Sequence, residues 1–168
     1  SATTSWAVSL NNCILNVEVA SVANNSDGTS ISVAILDIDH FKRINDVYGH
    51  QTGDNVLKSL TCICQNTLRK IDSFGRYGGE EFVIILPETN KQQAQEVAER
   101  LRHNVSENLN VASGLSNEKI TISVGGITFK PNGNRADQPY SLLNQLIEQA
   151  DVAMYQAKNN GRDQVVLN

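Results

Sequence analysis

The chain has 168 residues, 18 Asp plus Glu against 14 Lys plus Arg, and a formal net charge of −4. With 40% apolar and 19% charged residues it has the composition of an ordinary globular domain, able to build a core without staples, and it is excluded from the disordered and fibrous classes. The acidic balance argues against a protein that coats DNA or RNA through a cationic excess, and no stretch approaches the ~18 continuous apolar residues of a membrane span.

Trp6, Leu10, Cys13, Ile14, Val17 and Ala20 recur at helical spacing, which predicts a helix over about 4–22 ended by the turn formers Asn24-Asn25-Ser26-Asp27-Gly28. This helix and turn, residues 1–30, are expected to lead into one globular domain over 31–168. Ile31 to Ile38 is a continuous apolar run rich in β-branched residues, a central buried strand. Phe41 to Tyr48 reads as a short helix stopped at Gly49. A longer helix follows, with Val56, Leu57, Leu60, Ile63, Cys64, Leu68 and Ile71 on one face. Ser73 to Tyr77 and Phe82 to Leu86 read as strands joined by a Gly78-Gly79 hairpin turn and closed by Pro87. Thr89 or Asn90 is placed to cap a helix whose inner face is Ala94, Val97, Ala98, Leu101 and Val105. Lys119 to Phe129 reads as a strand in which Gly125-Gly126 marks a bulge or a close backbone approach. Leu142, Leu143, Leu146, Ile147, Ala150, Ala153 and Met154 define a last helix, ended by Asn160-Gly161, and Gln164 to Leu167 a short last strand.

From the first strand the order is β-α-α-β-β-α-β-α-β. It predicts an α+β fold, a central mixed and mainly antiparallel sheet flanked by helices in the ferredoxin-like, split βαβ style. Cys13, Cys62 and Cys64 are odd in number, lack zinc-ligand spacing, and include two too close together to bridge without strain. They are expected as buried thiols in a reducing cytoplasm. The chain opens on Ser1-Ala2-Thr3-Thr4 with neither an initiator Met nor a signal pattern, so a piece of something longer is expected, cytoplasmic or the cytoplasmic part of a membrane-anchored or sensor protein.

Two places break the local rules. The first is Leu36-Asp37-Ile38-Asp39-His40-Phe41-Lys42, where a buried strand runs into acids and turns straight into a helix. Helix N-termini of this kind bind phosphate, and Lys42 would add positive charge. Asp39 is expected simply to N-cap the helix, whereas Asp37, still on the strand, is the candidate functional carboxylate. The second is Gly78-Gly79-Glu80-Glu81-Phe82, paired acids at a hairpin tip beside an apolar strand. Taken alone the pair reads as a solvated turn. Two acidic sites at strand ends, each next to amide-rich backbone, suggest instead a divalent cation holding phosphates. Mg²⁺ suits oxygen ligands, few protein carboxylates and substrate phosphates that complete the shell.

With these segments in place the sequence resembles the GGDEF-domain family of diguanylate cyclases, in the Gly-Gly-Glu-Glu-Phe version at 78–82. Residues 36–46, then Gly49-His50 and Gly53-Asp54, then Ala157-Lys158 and Gly161-Arg162 follow the family's motifs in order and spacing, over about residues 31–168. The resemblance implies a nucleotide-cyclase palm-type fold that condenses two GTP into cyclic di-GMP with release of pyrophosphate. It implies Mg²⁺, with Mn²⁺ as a substitute, held by Asp37, the Ile38 carbonyl and Glu80. Glu80 is also the implied proton acceptor, and Glu81 a second acid that assists. Asn45, His50 and Asp54 match substrate positions, Asn45 and Asp54 reading guanine, with Leu57 as a wall of that pocket. The backbone around Phe41, with Lys42, Lys158 and Arg162, matches the triphosphate contacts.

Arg69-Lys70-Ile71-Asp72 is by itself a routine helix-end ion pair. Its placement nevertheless resembles the family's inhibitory RxxD site, with Arg100 as a further arginine and cyclic di-GMP as the inhibitor. The resemblance also implies a homodimer for catalysis, an upstream sensor domain, no nucleic-acid partner and no direct membrane contact. Family members usually open with a segment like Asp-x-Leu-Thr-x-Leu-x-Asn-Arg, of which Thr4 to Asn12 keeps little. That departure leaves an alternative of another class, a catalytically weak regulatory module that binds GTP or cyclic di-GMP.

Overall fold

The computed structural model describes residues 28–131 and 139–168. The expected helix over 4–22, the first 27 residues and Cys13 lie outside the described residues. Within them the elements follow in the expected order: β1 (Ile31–Ile38), α1 (Phe41–Tyr48), α2 (His50–Thr67), β2 (Ser73–Gly78), β3 (Glu81–Leu86), α3 (Lys91–Ala112), β4 (Ile122–Phe129), α4 (Pro139–Asn159) and β5 (Val165–Leu167).

The sheet order is β2-β3-β1-β4-β5, with β5 parallel to β4 and every other neighbouring pair antiparallel. This is the mixed, mainly antiparallel α+β arrangement that the element order predicts. β1 lies at the centre, and all eight of its residues are buried. The period-2 pleat divides its side chains between two cores. Ala34, Leu36 and Ile38 join Phe82 and Ile84 against α2 and α3. Ile31, Val33 and Ile35 join Val83 and Ile85 against Leu146, Ala150 and Met154 of α4. The sheet is therefore sandwiched, and a residue's parity on β1 or β3 decides which helices it meets.

Gly125 is where α4 comes closest. A Cβ there would lie 1.9 Å from the Met154 backbone nitrogen, and the β1–β4 register runs through the glycines without a shift. The pair thus marks close backbone approach, not a bulge. The bulge lies on β2, where Arg76 pairs with Phe82 and Gly78 with Glu81, leaving Tyr77 as the extra residue. It carries Gly78 into the strand, so the tip is Gly79-Glu80 and not Gly78-Gly79; Gly79 has φ 53°.

Other expectations shift for physical reasons. α2 ends at Thr67 with Leu68 extended, and Ile71 is 51% exposed instead of completing the helix face. β4 starts at Ile122 because the Thr121 carbonyl accepts from the Asp39 amide, 2.9 Å, at the end of β1. Asn90, not Thr89, caps α3 through a reciprocal pair with Gln93. Cys64 is buried and its thiol is pushed up by burial, but Cys62 is exposed, against the expectation that both are buried.

Candidate active site

Asp37 is the penultimate residue of β1, on the face that α4 covers, with Glu81 opposite it on β3 and Ser123 opposite it on β4. It is 2% exposed. Its Oδ2 forms an ion pair with Lys158 Nζ, from the last turn of α4. Its Oδ1 is buried and has no hydrogen-bond partner. Burial raises the Asp37 pKa from the usual 3.8 to about 6; Lys158 pulls it down, and the charges of Glu80 and Glu81 push it up. Burial first, then Asp151 of α4 and Glu80, likewise raise the Glu81 pKa, against a lowering by Lys158. Strand end, hairpin tip and helix end therefore share one electrostatic site. Asp151 is a member that motif spacing does not single out.

An orphaned carboxylate oxygen in this setting fits a cation. Buried polar atoms without partners are uncommon, and one beside two further carboxylates is stabilised by added positive charge. Among the described residues no three His, Cys, Asp or Glu side chains close into a cage of their own. A cation here would draw its remaining ligands from water or from a phosphate-bearing substrate. Asp37, the Ile38 carbonyl and Glu80 are the groups at this place that could hold it.

Beyond β1 the chain turns through His40 in a left-handed conformation, φ 56°, and α1 begins with no side chain capping its first turn. Its leading amides are thus left to water or to an anion. Phe41 is half-buried there and Lys42 exposed. At the other end of α1, Asn45 lies against α2: a Cβ on Gly53 would meet Asn45 Oδ1 at 1.8 Å. Asp54 follows Gly53 and is half-buried, so Asn45 and Asp54 are neighbours across the α1–α2 corner. His50, which opens α2, is exposed, and Leu57 is buried in the core beneath the corner.

Asp39 does not cap α1. Its side chain is buried, accepts from Thr121 Oγ1 and Ser123 Oγ, each at 2.7 Å, and takes the Asp163 backbone N–H at 3.0 Å. It ties β1 to β4 and to the α4–β5 turn. That turn is a Schellman stop: the Arg162 amide reaches the Ala157 carbonyl at 3.0 Å and the Gly161 amide reaches the Lys158 carbonyl at 3.4 Å. The motif gives the Lys158–Arg162 spacing its physical content, because the helix stop locks the backbone between them. Arg162 itself is exposed.

Arg69 and Asp72 pair at 2.8 Å in the turn after α2, not on the helix. Arg69 Nη2 also donates to Pro87 O at 3.0 Å and Thr89 Oγ1 at 2.8 Å. Arg100, exposed on α3, lines a cleft of about 450 Å³ with Asn104 and Thr67, the latter two residues before Arg69.

Three comparisons bear on this geometry. The family model "Diguanylate cyclase, GGDEF domain" matches residues 10–164. The response regulator PleD of Caulobacter vibrioides is 41% identical over 140 residues, which is 83% of this chain and 29% of that protein. The chain thus spans less than a third of that relative's length. Among solved structures, diguanylate cyclase SiaD of Pseudomonas aeruginosa, in complex with its activator SiaC, superposes with TM-score 0.78 at 34% identity, covering 94% of this chain and 58% of that one. The GGDEF domain of DgcB from Caulobacter crescentus, in complex with c-di-GMP, gives 0.73 at 30% identity over 92% and 87%. Among the described residues, no helix is long and apolar enough to cross a membrane.

Proposed function

The chain belongs to the GGDEF-domain family of diguanylate cyclases, and from that premise we propose that it joins two GTP molecules into cyclic di-GMP. In each of two successive steps a ribose 3′-oxygen bonds to the α-phosphorus of the other nucleotide, the bond from that phosphorus to the β-phosphate oxygen breaks, and pyrophosphate leaves. Glu80, at the open hairpin tip, accepts the hydroxyl proton. Asp37, with a pKa near 6, is ionised at neutral pH and offers Oδ1 to a cation. The free amides at the start of α1, together with Lys42, Lys158 and Arg162, hold the triphosphate, and Asn45 and Asp54 read the guanine edge, where a carboxylate accepts from both N1–H and N2–H. Mg²⁺, with Mn²⁺ as a substitute, supplies charge stabilisation on the nonbridging and leaving oxygens as negative charge builds there. The observation that carries this reading is the unpartnered Asp37 oxygen at a strand end that Glu80, Glu81 and Lys158 all address.

One site of this kind holds one GTP, so two copies must face each other to bring the second 3′-hydroxyl into line, and a homodimer is the working unit. We assign product inhibition to Arg69, Asp72 and Arg100, guanidinium and carboxylate groups suited to a ligand with two phosphates and two bases. We propose that the domain works in the cytoplasm, in a cytoplasmic protein or as the cytoplasmic part of a membrane-anchored or sensor protein, with a sensor domain upstream. The test is chromatography of the products of purified protein with GTP and Mg²⁺, with Glu80→Ala alongside. Cyclic di-GMP and pyrophosphate are expected from the wild type, and at least about 100-fold less from the variant. GTP binding without pyrophosphate release would select the regulatory-module alternative.

A further inference from the structure

Four non-glycine residues among those described have positive φ: His40, Glu88, Arg162 and Asp163. Three of the four gather on one side chain. His40 follows Asp39 in the chain, Asp163 donates its amide to the Asp39 carboxylate, and Arg162 precedes Asp163. Left-handed non-glycine residues persist only where their surroundings over-determine them, and two in succession at φ 64° and 46° are a heavier demand than one. What restrains them is visible. The Asp163 amide is held by Asp39, and the Asp163 carboxylate by Arg102 at 2.9 Å and Lys119 at 3.9 Å. Asp39 is in turn aimed by Thr121 and Ser123, so of the three hydrogen bonds this buried carboxylate accepts, two fix its own orientation and the third braces a turn more than 120 residues away in the chain.

We propose that Asp39 is a positioning residue for Arg162: its bond to the Asp163 amide holds the α4–β5 turn in the left-handed conformation that presents the Arg162 guanidinium to the substrate's phosphates. The inference rests on the GTP reading above. In this assignment the two acids of the β1 end divide the work. Asp37 faces the ligand directly, and Asp39 acts on the ligand only through the turn that carries Arg162.

The test is a double-mutant comparison on binding of a non-reacting GTP analogue with Mg²⁺, in wild type, Arg162→Ala, Asp39→Ala and the double variant. Asp39→Ala is expected to weaken binding about tenfold, comparably to Arg162→Ala, and the double variant is expected to bind no worse than Arg162→Ala alone. Asp39→Asn, which can still accept from Asp163 while donating to Ser123, is expected to restore binding to within about threefold. Hydrogen exchange at the Asp163 amide, read by NMR without ligand, should accelerate in Asp39→Ala and not in Arg162→Ala. If Asp39→Ala does not fold, the pair Thr121→Val with Ser123→Ala, which removes the hydroxyls that aim the carboxylate, carries the same comparison. Losses that multiply in the double variant, or an Asp39→Ala protein that binds like wild type, overturn the inference and leave the GTP reading standing. A wild type that fails to bind the analogue overturns both.

Discussion

Replacing Lys158 with Met keeps most of the unbranched side chain and removes the charge that offsets the buried Asp37. The hydrogen bond and charge of Lys158 are the influences that lower the Asp37 pKa, and even with them it stands near 6 instead of 3.8. A charge-assisted hydrogen bond contributes about 1.5–3 kcal/mol, and solvent screening argues for the lower figure, so Asp37 in Lys158→Met should titrate at higher pH than in the wild type. The stability consequence has a definite sign. The native state keeps a proton that the unfolded chain has already released, so Asp37's contribution is complete below about pH 4 and is lost as pH rises through about 6. The full shift corresponds to about 3 kcal/mol, and about 2 kcal/mol after the same screening. In Lys158→Met the loss should extend to higher pH than in the wild type. Urea denaturation of the metal-free protein between pH 4 and 8, with the Asp37 carboxyl followed by carbon NMR and assigned against Asp37→Asn, measures both quantities. An Asp37 that titrates near 3.8 in wild type, or at the same pH with and without Lys158, would refute the electrostatic argument.

Arg69→Ala is expected to relieve inhibition by added cyclic di-GMP by tenfold or more while keeping uninhibited turnover, read as initial rate against product concentration; undiminished inhibition removes the assignment. Cyclic di-GMP formation should fall more steeply than in proportion on dilution of the enzyme, since each chain supplies half of a reaction site; strict first-order dependence counts against the homodimer. Gly125→Ala should cost about 3 kcal/mol or more, because the new Cβ meets α4 backbone at 1.9 Å, and Gly126→Ala about 1 kcal/mol, because its closest contact is the movable Leu167 side chain at 2.4 Å. Thermal midpoints should fall in that order, by about 6–12 °C and 2–4 °C; the reverse order would contradict the packing.

The element order was legible because each segment carries its own pattern: a mostly apolar run, Val33 to Leu36 at its heart, in β1, which is buried on both faces, and a recurring apolar face in α2, α3 and α4. The acids Asp37 and Glu80 stand out in the sequence at a strand end and a hairpin tip, whereas the ion pair of Asp37 with Lys158 is a long-range contact that the folded chain makes. The departures have a common origin in long-range partners. Ile71 fits the period of α2, yet the chain leaves the helix at Leu68 and enters the turn in which Arg69 bonds Asp72, Pro87 and Thr89. Gly78 looks like half of a turn but is drawn into β2 by the bulge at Tyr77, a feature of pairing that one strand's sequence does not record. Asp151 is one more acid on an amphipathic helix until α4 lies over the sheet and its charge reaches Glu81.

Asp37 and Asp39 make the same point within two residues. Local propensity favours Asp as a helix cap, and α1 starts directly after Asp39, so capping is the natural expectation. The turn through His40 carries Asp39 instead to Ser123, a residue whose backbone pairs with Asp37 itself. Two buried carboxylates thus end up beside the same serine with opposite fates. Asp39 finds donors from β4 and the α4–β5 turn for both of its oxygens, while Asp37 keeps one oxygen without any. Burial alone cannot explain the difference, since both are nearly out of contact with solvent. The donors explain it: at Asp39 the fold completes the carboxylate's hydrogen bonding, and at Asp37 it supplies one ammonium, two further acids and an open tip. A structural role for Asp37 would have no use for that arrangement, because an amide or an apolar residue there would cost the fold less. An oxygen left without a donor beside two further acids gains from added positive charge, and that is the ground on which the proposed function rests on Asp37 and not on Asp39.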